Sequence, residues 1–155
     1  ENQKKDEVLY SMEREDTVKL LKECDAGVKT AMNSIKEVLG NINSAKLRDL
    51  LNDSLCKHEY IDNEIDAILS RLSEEGKEPN PMARFMSWAK INLNLLESPD
   101  DKTVAKLMFD GCSMGVEQIS GYLNQYKDAD SRSREIAERL IETEDRLAKD
   151  LRDFL

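Results

Sequence analysis

Four residues of this chain have the types and spacing to hold a metal or to bury a proton-sharing cluster: Asp25, His58, Asp62 and Glu144. His58 is the only histidine, in the stretch LCKHEYIDNEI over residues 55–65. Two or three carboxylate oxygens and one imidazole suit Fe(II), Mn(II) or Zn(II) without choosing among them, and Cys112 offers a further ligand. Without a metal the same groups must compensate one another, because an isolated buried charge is expensive. Both chemistries stand at this point. No Gly-rich phosphate loop, Ser-His-Asp set, HExxH or calcium loop is present.

The elements that position these residues follow from composition and rhythm. The 155 residues suit one domain; 39% are apolar, 35% charged and 5% aromatic, with six glycines and three prolines, a helical composition. The formal charge of −9 argues against a nucleic-acid backbone or an anionic membrane surface as partner. No apolar run reaches the ~18 residues of a membrane span. Cys24, Cys56 and Cys112 form an odd set without CxxC spacing, which reads as free thiols in a reducing, cytoplasmic compartment. The chain starts at Glu1, which leaves open whether a leader preceded it.

Residues 1–15 read as a polar N-terminal arm continuing into the first helix, and residues 16–155 as a bundle. Val18, Leu21, Asp25, Val28, Met32, Ile35 and Leu39 alternate steps of three and four, predicting an inward seam over 16–40. A second helix is predicted over 44–75, capped by Asn43 or Ser44, with Leu47, Leu51, Ser54, His58, Ile61, Ile65, Ile68 and Leu72 inward. A shorter helix over 81–97 is apolar on two sides. A third long helix is predicted over 99–127, with Ser98 as its cap, and a fourth over 131–155. On the last helix Glu135 and Arg139 are spaced as a surface pair, and Glu59 and Glu64 read as solvated.

The 81–97 helix spans about 25 Å, enough to return the chain to the end where the second helix begins. This predicts an all-α four-helix bundle with one long crossover between helices 2 and 3. Counted from the turns, Asp25, His58 and Glu144 then lie level at mid-bundle, with Asp62 one turn beyond His58.

At this point the chain resembles the ferritin-like superfamily, closest to small uncharacterised bacterial ferritin-like bundles. The resemblance is carried by VKLLKECDAGVKTAMNSI, LNDSLCKHEYIDNEIDAILSRLSEEGKEP, RFMSWAKINLNLL and DGCSMGVEQISGYL. Active di-iron members place a Glu on two helices and Glu-x-x-His on the other two. By that resemblance Asp25 takes a carboxylate place, His58 a His place and Glu144 a Glu place. Leu55 stands where a Glu is needed, Leu147 where a His is needed, and Cys112 and Gly115 fill the inward places of the third helix. Dinuclear iron oxidation is therefore not expected. The expected function is a non-catalytic structural or protein-interaction module without a cofactor. The alternative is a mononuclear metal-binding or redox protein holding one Fe, Mn or Zn ion through Asp25, His58, Asp62 and Glu144. Trp88, Ile91 and Leu95 are the expected patch for self-association as a homodimer.

Overall fold

A computed structural model describes residues 1–76 and 100–155. All regular structure among them is helical: α1 over Asn2–Leu39, α2 over Ala45–Arg71, α3 over Asp101–Gln125 and α4 over Ser131–Leu151, followed by a 3₁₀ turn at Arg152–Phe154. The expected 81–97 helix and the Trp88, Ile91 and Leu95 patch lie outside the described residues. None of the described helices is long and apolar enough to cross a membrane.

The arm and the first bundle helix are one element. Residues 1–15 are exposed, and burial begins at Thr17. No Gly or Pro interrupts this Glu- and Lys-rich stretch before Gly27, so it continues the helix beyond the bundle on propensity and not on packing.

Caps fix the other ends. Ser44 accepts a hydrogen bond from the Leu47 N–H at 3.2 Å and starts α2. The cap of α3 is Asp100 and not Ser98: its carboxylate accepts from the Thr103 N–H at 2.8 Å and the Thr103 hydroxyl at 2.7 Å. Asp130 caps α4 through the Ser133 N–H, also at 2.8 Å. The second helix stops at Arg71, four residues before the expected 75. Ser73 adopts a left-handed φ of 56°, the Glu74 N–H bonds back to the Leu69 carbonyl, and the Ser73 N–H to the Ser70 carbonyl. That double closure is a Schellman stop, made here with serine where glycine is usual, so the sequence signal for it is weak.

Helix α1 packs on α2 and α3, and α4 packs on the same two helices, with α1 and α4 also touching across the centre. The first turn of α3 is tied to the α1–α2 connection, because the Asp101 carboxylate accepts from the N–H groups of Asn43 at 2.9 Å and Ser44 at 2.8 Å. At the opposite end the α3–α4 connection is held to α1: Asp128 N–H donates to Asp16 and Asp130 N–H to the Thr17 hydroxyl.

The apolar core comes in two clusters. One gathers Leu21, Val28, Ile65, Ile136 and Leu140, and the other Ile35, Leu47, Leu51, Val104 and Leu151. On α2 and α4 the residues between them include His58 and Glu144, so an ionisable layer interrupts the core at mid-height.

Candidate functional site

The four residues singled out by type fall into two groups. His58 is fully buried on α2, and its Nε2 lies against Glu144 Oε1 of α4. Its Nδ1 is 2.7 Å from the Ser54 carbonyl, one turn back on the same helix, with the Ser54 hydroxyl at 3.4 Å. A carbonyl only accepts, so Nδ1 carries a proton and Nε2 is the nitrogen that meets the carboxylate. Burial acts to lower the proton affinity of His58. The hydrogen bond and charge of Glu144, with the Ser54 carbonyl, outweigh it and hold His58 above its ordinary value. Both ring nitrogens are therefore engaged within the protein.

Cys112 of α3 borders the same pair. Burial, then the negative charge of Glu144, push its thiol well above the ordinary range, so it is an inert core residue and not a nucleophile. Cys24 is likewise buried and pushed up to about 12. Across the layer a cleft of about 30 Å³, lined by Gly27, Ala31, Gly111 and Gly115 among others, reaches Glu144. That volume admits a water but not an organic substrate.

The second group lies between α1 and α2. Asp25 is 1% exposed and ion-paired with Lys29, one turn along α1. The same ammonium bonds Asp62 at 2.8 Å and Asp66 at 3.1 Å. Carboxylate oxygens of Asp25, Asp62 and Asp66 come within 4.8 Å of one another, a cluster that includes neither His58 nor Glu144. Burial is the main influence raising the Asp25 carboxyl, against the pull of Lys29. Burial also opposes the charge on Lys29, but its three carboxylate partners raise it above the usual lysine range. The chain after α2 closes over this group at Gly76, where a Cβ would overlap the Asp25 carboxylate. A side chain there forces the Asp25 carboxylate or the backbone to shift, through close approach and not an unusual φ.

The structure thus brings His58 to Glu144 and Asp25 to Asp62, and joins the second couple to two residues the sequence reading did not single out. Lys29 stands four residues after Asp25 and Asp66 four after Asp62, so an i,i+4 search from each acid finds both. Glu64 differs from its expected solvated state. Arg139 reaches across from α4 and grips it with two hydrogen bonds, at 2.8 and 2.6 Å, while Glu135 stays 4.0 Å from Arg139. A bidentate pair between helices outcompetes the local one because both terminal guanidinium nitrogens find a carboxylate oxygen.

As to a resident metal, Asp25, His58, Asp62 and Glu144 do not converge on one ligand set; the possible cluster among the described residues is Asp25, Asp62 and Asp66. An imidazole that ligates through one nitrogen needs that nitrogen clear of a protein partner, and both nitrogens of His58 have one. The acid cluster is oriented around an ammonium supplied by the chain itself. No family model, curated protein or solved structure matches this chain.

Proposed function

We propose that this chain is a non-catalytic structural or protein-interaction module, a ferritin-like bundle whose central polar groups serve the helices and not a reaction. The observation that carries the reading is internal compensation. His58 is satisfied by Glu144 and Ser54, and the acid group by Lys29, so each ionisable residue drawn from the seams already has its counter-charge. Such pairs fix which helix faces which, even where they add little net stability. The tie between Asp101 and the α1–α2 connection supports a chain that recrosses the bundle between α2 and α3.

A second reading, one bound metal, has support from a different set than the one first expected: the oxygens of Asp25, Asp62 and Asp66. Lys29 must swing away for a cation to enter. Metal analysis separates the two. Protein purified without chelator or nickel resin is expected to carry well under one transition metal per chain. Stoichiometric iron, manganese or zinc that disappears in His58→Ala or Asp25→Asn overturns the structural reading.

A further inference from the structure

The first four turns of α1 project past the described bundle helices, and among the described residues nothing covers their apolar side chains. Val8 is 58% exposed and Met12 45%. Together with Glu1, Lys5, Glu15 and Lys19 they form a single stripe with steps of four, three, four, three and four. This is the spacing of a helix seam that meets another helix. The stripe is not an extension of the core face. Lys19 is exposed, two positions from buried Thr17 and Leu21, so it points about 200° away from them around the helix.

The order of side chains along the stripe names the occupant. Read from one end it runs acid, base, Val, Met, acid, base; read from the other it runs base, acid, Met, Val, base, acid. Laid antiparallel on a second copy of itself, each charge meets its opposite: Glu1 opposite Lys19, Lys5 opposite Glu15, and Val8 opposite Met12. A two-fold axis doubles every one of these contacts, as an isologous interface requires. A parallel pairing in register sets like charge against like and has no such complement. The described helices leave the pairing clear, because the stripe lies on the side of α1 opposite its core-facing residues.

We propose that the projecting part of α1 is a self-association surface on which two copies pair as antiparallel helices about a two-fold axis between Val8 and Met12. The proposal rests on the reading of the chain as an interaction module and specifies its partner, a second copy, on a surface other than the Trp88 patch. The overlap is about 28 Å of helix with few apolar contacts, which places it in the weak, reversible class.

The test is sedimentation velocity over a concentration series with the full chain, alongside Val8→Asp, Lys5→Glu, Glu15→Lys and the double variant Lys5→Glu/Glu15→Lys. These positions are exposed, so thermal midpoints are expected to stay near wild type. The wild type is expected to dimerise reversibly, more weakly as salt rises. Val8→Asp and each single charge reversal should weaken the dimer at least about tenfold, equivalent to about 1.4 kcal/mol. The double reversal should restore it to within about threefold. A wild type that remains monomeric throughout, a dimer indifferent to Val8→Asp, or a double reversal no better than the singles overturns the pairing. The metal analysis above is independent of this outcome, so failure of the pairing and failure of the module reading are told apart.

Discussion

Replacing His58, Glu144 or both by leucine gives a cycle whose outcome follows from which partner can shed its charge. His58 is 0% exposed and the Glu144 side chain 9%, so neither can turn to water when the other is removed. In His58→Leu the Glu144 carboxyl must stay ionised in an apolar layer or take up a proton. At about pH 7, protonating a carboxyl of ordinary pKa near 4.3 costs about 3.7 kcal/mol, within the ~3–5 kcal/mol typical of a broken buried pair. In Glu144→Leu the imidazole simply goes neutral, which near pH 7 costs almost nothing, and the loss is the unpaired Nε2, about 1–3 kcal/mol. The double variant, similar in volume and with no charge left, should lie within about 1 kcal/mol of wild type or above it.

The pH dependence has a definite sign. His58 is held above its unfolded value of about 6.5, so the pair contributes fully below that pH and loses its contribution as pH rises through the folded value. Glu144→Leu lacks that contribution, so its deficit relative to wild type should be larger at pH 5 than at pH 7. Urea unfolding followed by far-ultraviolet circular dichroism at both pH values measures every corner. Equal costs for the two single variants, a double variant as damaged as both singles together, or a deficit independent of pH would refute the reasoning.

Two backbone predictions concern the segment after α2. Gly76→Ala puts a methyl group into the Asp25 carboxylate and should cost about 1–3 kcal/mol in urea unfolding; an unchanged midpoint would mean that the chain does not close on Asp25. Ser73→Gly relieves a left-handed residue and should raise stability by about 1 kcal/mol, whereas a loss would show that the serine side chain matters more than the backbone strain.

The helices were legible because a bundle writes its inward face into the sequence every three or four residues. Leu47, Leu51, Ile61, Ile65 and Ile68 on α2 and Leu140, Leu147 and Leu151 on α4 are all buried. Caps were legible where a side chain closes the end, as at Ser44, and displaced where two candidates compete, as with Ser98 and Asp100. The stop at Ser73 left no clear mark, because any residue with tertiary support can be held in the left-handed region.

Spacing also determined that His58 and Glu144 face inward at similar height, since distance from a turn converts directly to rise along a helix. It could not determine around which side of the seam Asp25 turns. Leu21, Cys24, Asp25 and Val28 all lie within about a third of a turn of the core direction, and a step of four leans to one neighbouring helix, a step of three to the other. Only the packing of α2 against that flank of α1 decided that Asp25 and its i,i+4 partner Lys29 meet Asp62 and Asp66. One chain's sequence records height and facing; which charge answers which depends on the order of helices around the bundle, a property of the assembled tertiary structure.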